Sequence, residues 1–293
     1  MRVLVLGAGG MLGQDVVAEA QARGLEVIGL RANDLDLRDP VAVARIGAGE
    51  WPEVDWCINC AAYTAVDKAE SEADAAAELN TLGPGYLATA CTMAGIRLLH
   101  VSTDFVFDGE ATEPYLEDHP TNPLGVYGRT KRDGEEAVRS GSSSAVIVRT
   151  SWLYGPGGQS FPRTMIRAWL AGRELRVVAD QTGCPTYTAD LARVLIDLLQ
   201  RDPLPGIYHA CGPDAMTWRD FAEQAIFAYR NLVLQTDQEV RVASIRTEDW
   251  PTPARRPKYS VLNCQKLYGL GIPPMKSTPE AVREFVRRLP PDL

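Results

Sequence analysis

The chain has 293 residues, room for two domains of ~150 residues or one large α/β domain with an appended lobe. Hydrophobic residues make up 45% and charged residues 23%, a balance that excludes disordered, collagen-like and coiled-coil classes. Acidic residues outnumber basic ones 38 to 30 and no basic run exceeds a pair such as Arg255-Arg256, so neither nucleic acid nor an anionic membrane is an expected partner.

In chain order, Arg2-Val3-Leu4-Val5-Leu6 is a short apolar run that stops at glycines, where an export signal needs more apolar length; it reads as a first strand. Residues 11–22 carry a helical pattern, with Gly24 placed to close it. Further strand-like runs lie at 25–30, 55–59, 97–101 and 145–149, separated by helical patterns or long loops. Short strands alternating with helices predict βαβ units and a Rossmann-like, doubly wound parallel sheet. The helix near 72–82 meets Gly83-Pro84-Gly85, which predicts a break or kink before Tyr86–Met93. From Gly155-Pro156-Gly157-Gly158 onward the loops lengthen and prolines cluster. The expected organisation is a dinucleotide-binding domain over 1–155 and a smaller C-terminal substrate-binding lobe over 156–293, with some segments returning to the first domain. No apolar stretch approaches the ~20 residues of a membrane helix. Six scattered cysteines ask for no disulfide framework, so the expected setting is the reducing cytoplasm.

Gly7-Ala8-Gly9-Gly10-Met11-Leu12-Gly13 lies between the first strand and the first helix. Glycines at 7, 10 and 13 allow a tight turn and close backbone approach, and the helix N-terminus then faces a pyrophosphate. Leu12 stands where G-x-G-x-x-G has its last glycine, and a plain structural turn is the alternative; the position between strand and helix points to a dinucleotide. The second strand ends at Arg31. An acidic residue there suits the ribose 2′-hydroxyl of NAD, and an arginine suits the 2′-phosphate of NADP. NADPH is therefore the expected cofactor, with nearby Asp34 leaving NADH open and a solvated arginine as the plain alternative. Asp36 is expected at the adenine edge, or else as the cap of the helix that Pro40 begins.

Tyr127 and Lys131 are spaced to share one helix face. A lysine ammonium beside the phenol stabilises the phenolate, and a tyrosine so tuned donates a proton to a carbonyl oxygen as hydride arrives. Thr103 follows the fourth strand, at the carboxyl end where open α/β sheets bind ligands. Its hydroxyl is expected on the substrate oxygen beside Tyr127, or in a turn that closes the strand. Cys57-Ile58-Asn59-Cys60 has CxxC spacing but lies on or just after a buried strand with no second pair, so packing is expected rather than zinc or redox chemistry. Three histidines are too few to suggest a metal site, and no G-x-S-x-G elbow is present. Trp218, Phe221 and Ala225 fall at helical spacing and read as core.

Together with Asn59-Cys60-Ala61-Ala62, these residues resemble the extended short-chain dehydrogenase/reductases. Longer blocks, Ala61 to Glu70, Ser102 to Gly109, Arg149 to Tyr154, Asp180 to Thr186 and Pro253 to Pro257, resemble more narrowly the dTDP-4-dehydrorhamnose reductase family. The blocks run in order through nearly the whole chain. The resemblance implies the final step of dTDP-L-rhamnose synthesis, with NAD(P)H delivering hydride to C4 of dTDP-4-dehydro-β-L-rhamnose. It implies Tyr127 as proton donor, Lys131 on the nicotinamide ribose lowering the tyrosine pKa, and Thr103 polarising the ketone. Asp104 and Trp152 would contact the sugar nucleotide. Gly7, Gly10, Met11 and Leu12 would line the pyrophosphate, Asp36 and Leu37 the adenine end, and Ala62, Tyr63, Thr64 and Val101 the rest of the cofactor. Arg256 would meet the substrate diphosphate as a guanidinium fork, or else be a surface charge beside Pro257.

Three positions depart from the family pattern. Phe105 replaces a usual tyrosine, which removes one sugar hydrogen bond and keeps open a reductase of another nucleotide-linked 4-keto-6-deoxyhexose. Arg31 replaces a usual acidic residue. Asp15 and Ala189 stand where some relatives carry glutamates that hold Mg²⁺ at a subunit contact, so no metal is carried over; a homodimer stays open. A non-catalytic NADP-binding regulatory subunit would be marked by loss of Tyr127 or Lys131, and both are present.

Overall fold

Each of the five apolar runs becomes a strand in the computed structural model, which describes residues 1–49, 51 and 53–290. These are β1 (Arg2–Leu6), β2 (Glu26–Leu30), β3 (Trp56–Asn59), β4 (Arg97–Thr103) and β5 (Val146–Thr150). A sixth strand, β6 (Gly206–His209), which the sequence reading did not anticipate, adds to the edge beside β5. All pair in parallel in the order β6-β5-β4-β3-β1-β2, so the expected doubly wound sheet is present. The chain leaves β1 toward β2 and returns to its other side as β3, which makes the β1/β3 boundary the switch point where such sheets open a ligand crevice.

The main helices are α1 (Met11–Ala22), α2 (Pro40–Gly47), α3 (Gly83–Met93), α4 (Val126–Gly141), α5 (Phe161–Leu170), α6 (Thr188–Gln200), α7 (Trp218–Tyr229) and α8 (Thr278–Arg287). They explain why β1 is apolar at successive positions rather than alternating. Val3 and Val5 point into a core with Leu12 and Val16 of α1 and Leu191 and Leu195 of α6. Leu4 and Leu6 point the other way, onto Val43 and Ile46 of α2 and Leu87 of α3. Full burial of each such side chain stabilises the fold by ~1.5–3 kcal/mol. A third core gathers Tyr154, Trp169, Phe221, Ile226 and Phe285 from α5, α7, α8 and the segment after β5. The last three residues of the expected C-terminal lobe, 291–293, lie outside the described residues.

Two local expectations are corrected. Of the expected break or kink, the break is absent: Ala73–Ala77 continues through a wide turn at Glu78–Leu82 into α3. Pro84 lies in the first turn of α3, and the widened turn before it relieves the loss of its N–H. The cap of α2 is Asp39, whose carboxylate accepts from the Val41 N–H at 2.9 Å; Asp36 is paired with Arg38 at 2.7 Å. Among the described residues no helix is long and apolar enough to cross a membrane.

Candidate active site

A cavity of about 1240 Å³ opens at the carboxyl ends of β1 and β4 and is lined on its other side by residues that include Trp152, Phe161, Trp218 and Arg256. That exceeds the ~300–1,000 Å³ of an ordinary small-ligand cleft. The glycine-rich turn forms one end. Gly7 sits at φ +73°, where a side chain is strained, and a Cβ there would fall 2.7 Å from the Ala61 backbone nitrogen. A Cβ on Gly13 would run into the Gly7 carbonyl. The turn is thus packed tightly enough that only glycine fits, and it delivers Gly10, Met11 and Leu12 to the cavity wall at the start of α1. A cradle of this kind fits a pyrophosphate at a helix N-terminus.

Beyond the turn, Arg31, Asp36, Leu37 and Arg38 line the same end of the cavity. Arg31 is exposed and runs alongside Gly9, and among the described residues its guanidinium has no ion pair. The Asp36 carboxylate is held below its ordinary range by hydrogen bonds from Arg38. Ala62, Thr64 and Val101 line the middle. Tyr63, expected beside them, turns its ring away onto Ala69, Ala76 and Val126 and donates its hydroxyl to Glu72 at 2.5 Å. The Tyr63 backbone is clamped by the buried Asn80, whose carboxamide bonds both its N–H at 2.8 Å and its carbonyl at 3.1 Å.

Helix α4 brings Tyr127 and Lys131 to the wall on successive turns. Its first N–H, on Val126, finds the Glu70 carboxylate at 2.8 Å, a charge-assisted cap from a distant segment. Tyr127 is half-buried against Phe105, ring edge to face at 5.6 Å. The expected lowering of its phenol is corrected: burial pushes it up to about 12, Thr103 drawing it back and the Asp104 charge adding to the rise. Lys131 does not offset this because its Nζ donates instead to the Val101 carbonyl at 2.8 Å and lies 3.3 Å from His100 Nε2. Burial brings the Lys131 ammonium down to about 8, with Glu135 and Cys60 opposing.

Thr103 ends β4 and starts a tight turn by accepting the Phe105 N–H at 3.2 Å, while its own hydroxyl donates to Asp104 Oδ1 at 3.1 Å. Thr103 thus closes the strand, as the plainer reading expects, and it also lines the cavity with Tyr127. Asp104 is 1% exposed, and among the described residues its Oδ2 has no hydrogen-bond partner. Burial raises its carboxyl to about 6, with the Ser260 and Thr103 hydroxyls drawing it back. Beneath this wall Glu135 is buried between Arg149 at 2.7 Å and the Ser102 hydroxyl at 2.5 Å.

The wall facing the glycine-rich turn also carries Trp152, Trp218 and Arg256. Trp152 has φ +45°, a setting rare for a bulky residue, and its ring stacks on Trp218 with centroids 3.5 Å apart. Phe221 and Ala225 are core as expected; Trp218, the first residue of α7, is half-buried against that core and also lines the cavity. Arg256 is no free surface charge: it forks onto Asp67 at 2.6 and 2.7 Å and donates to the Ala254 carbonyl. That guanidinium holds the Asp67 carboxylate below its ordinary range.

The cavity wall thus contains every predicted site residue except Tyr63, and it adds Asp67, Arg38, Trp218 and Cys60. Asp67 and Arg256 are far apart in sequence, and no local pattern announces their pairing. Cys57 is fully buried as expected; Cys60 borders the cavity with its thiol pushed up to about 12 by burial, so it is no reactive thiolate. Asp15 is engaged by Arg288 at 2.9 Å and by the Thr188 hydroxyl at 2.6 Å. Among the described residues no cluster of three or more His, Cys, Asp or Glu is placed to hold a metal ion.

Comparison with known proteins places this geometry in context. A family model described as the RmlD substrate binding domain matches residues 1–290. A probable dTDP-4,6-dihydroxy-2-methyloxan-3-one 4-ketoreductase of Streptomyces antibioticus is 42% identical, covering 97% of this chain and 94% of that protein. The dTDP-4-dehydrorhamnose reductase of Streptomyces griseus is also 42% identical, over 97% of this chain and 92% of its own. The crystal structure of dTDP-4-dehydrorhamnose reductase from Bacillus anthracis in complex with NADP superposes with a TM-score of 0.89 at 37% identity, covering 97% of this chain and 98% of that one.

Proposed function

The chain belongs to the RmlD substrate binding domain family, and from that premise we propose that it reduces the C4 ketone of dTDP-4-dehydro-β-L-rhamnose with NADPH, giving dTDP-L-rhamnose. The observation that carries this reading is the wall that holds Thr103, Tyr127 and Lys131 together, facing the glycine-rich turn across one cavity. Bound NADPH supplies the hydride. Gly7, Gly10, Met11 and Leu12 hold its pyrophosphate, Arg31 meets the 2′-phosphate, and Asp36 and Leu37 border the adenine. Ala62, Thr64 and Val101 line the remainder, and Lys131 reaches the nicotinamide ribose.

Tyr127 gives its phenolic proton to the ketone oxygen. A phenol held near 12 keeps its proton at neutral pH, and a developing alkoxide is a stronger base than a phenolate, so the transfer runs downhill. Thr103 turns its hydroxyl from Asp104 to the same oxygen. The unpartnered Asp104 Oδ2 accepts a sugar hydroxyl, Trp152 offers its ring face to the sugar nucleotide, and Arg256 shares its fork between Asp67 and the diphosphate.

A second reading, another nucleotide-linked 4-keto-6-deoxyhexose, is favoured by Phe105, which cannot give the sugar a hydroxyl, and by the likeness to the Streptomyces antibioticus ketoreductase. Loss of NADPH absorbance with dTDP-4-dehydrorhamnose, formed in situ by the preceding epimerase, supports the first reading. Cofactor binding without oxidation overturns it, and faster turnover of a different keto sugar selects the second. The cytoplasmic setting, supported by six cysteines that are all free thiols, belongs to the same proposal. So do the division near residue 155 and a homodimer, which sedimentation equilibrium checks.

A further inference from the structure

A guanidinium carries five N–H donors in a fixed fork, and the contacts of Arg256 follow hydrogen by hydrogen. Nη1 donates to Asp67 Oδ1 and to the Ala254 carbonyl, both at 2.6 Å, with a longer contact to Thr252 Oγ1 at 3.1 Å. Nη2 gives one hydrogen to Asp67 Oδ2 at 2.7 Å. The carboxylate thus fills the end of the guanidinium between Nη1 and Nη2. The Nε–H and the second Nη2–H point together along the adjacent edge, and among the described residues no acceptor meets either one. Asp67 Oδ1 also accepts the Ala254 N–H at 3.2 Å, so one carboxylate ties down both the guanidinium and the backbone two residues before it. Ala254 is itself buried, and both Asp67 and Arg256 border the cavity.

We propose that Asp67 is a positioning residue for the sugar nucleotide: it fixes the plane of the Arg256 guanidinium and leaves the Nε–Nη2 edge as the fork that takes the diphosphate. Paired N–H groups on one edge match two phosphate oxygens. A guanidinium already held in its plane has its side-chain ordering settled on folding, so less is lost when the ligand arrives. The carboxylate charge does not repel the diphosphate strongly, because the guanidinium it grips neutralises it. Without Asp67 only the Ala254 carbonyl and Thr252 Oγ1 hold the side chain, both on its own loop, and segment 252–256 loses the tie of its Ala254 N–H to the one-turn helix Val66–Ala69. The inference rests on the reading of Arg256 as the diphosphate contact.

The test is calorimetric titration of the intact protein, saturated with NADPH, with dTDP and with thymidine, in wild type, Asp67→Asn, Arg256→Ala and the double variant. Asp67→Asn keeps an oxygen for the Ala254 N–H but turns an amide donor toward Nη2, which breaks the fork. It should weaken dTDP by about tenfold or more, the scale of a charge-assisted pair, and leave thymidine within about twofold. In the Arg256→Ala background the same substitution should change dTDP affinity by less than about twofold, since residues that act as one unit are not additive. Asp67→Ala should reproduce both results if the asparagine variant does not fold. A loss of dTDP affinity in Arg256→Ala with none in Asp67→Asn overturns this inference and leaves the proposed function standing. A loss that persists in the double variant, or that falls equally on thymidine, shows a merely structural anchor and also overturns it. Unchanged dTDP affinity in Arg256→Ala removes the diphosphate contact from the proposed function and this inference with it.

Discussion

Asp104→Asn should make the protein more stable and less active, and the pH dependence of the first effect identifies its cause. Burial lifts this carboxyl from 3.8 to about 6, roughly two units at ~1.36 kcal/mol each. The ionised side chain therefore lowers folding stability by about 3 kcal/mol at neutral pH. The sign follows from proton binding. Between those two values the folded chain holds the proton and the unfolded chain does not, so stability falls as pH rises from about 4 to about 6. Asparagine keeps the shape without the charge, although its amide nitrogen takes the place of Oδ2 and finds no acceptor, an offset of ~1–3 kcal/mol. Urea unfolding of both proteins at pH 4 and pH 7.5 should give a stability difference that moves in the variant's favour by about 3 kcal/mol across that interval. A difference that stays constant with pH would refute the burial argument. Turnover at pH 7.5 should show KM up by about tenfold or more, the scale of one lost hydrogen bond to a charged group.

Tyr127→Phe should bind NADPH within a few-fold of wild type and lose ~10²-fold or more in turnover, as for a missing general acid; near-normal turnover removes Tyr127 from the mechanism. Arg31→Asp should move cofactor preference toward NADH, since a carboxylate repels a 2′-phosphate and accepts a 2′-hydroxyl. An unchanged ratio of the two kcat/KM values would show that Arg31 does not meet the phosphate.

The sheet was legible because its strands are local: each apolar run of five or six residues is bounded by turn residues, and each became a strand. Gly206-Ile207-Tyr208-His209 was missed because four residues at a sheet edge, two of them half-buried, carry little pattern. The rule that proline ends a helix failed at Pro84 because tertiary contacts overrode it: Asn80, in the wide turn, is held by Tyr63 and by Thr130 at 3.2 Å. The site was legible to the same depth. Spacing put Tyr127 and Lys131 on one helix face, but spacing says nothing of the Val101 carbonyl and His100 that meet the lysine first. Helical periodicity placed Trp218 with Phe221 and it does pack there, but periodicity says nothing of its second role, lining the cavity and stacking on Trp152. Asp67 and Arg256 meet only through the fold, and so the diphosphate reading of Arg256 carried no hint of its carboxylate partner.

The central claim is hydride delivery to the sugar C4 carbon, and isotope transfer tests it most directly. NADPH carrying deuterium on both faces of the nicotinamide C4 is incubated with the protein and with dTDP-4-dehydrorhamnose made in situ, and the product is read by mass and ¹H NMR. The account predicts one deuterium per product, at sugar C4, and formation only when the epimerase is present. A reduced sugar without deuterium, or with it at another carbon, would contradict the account.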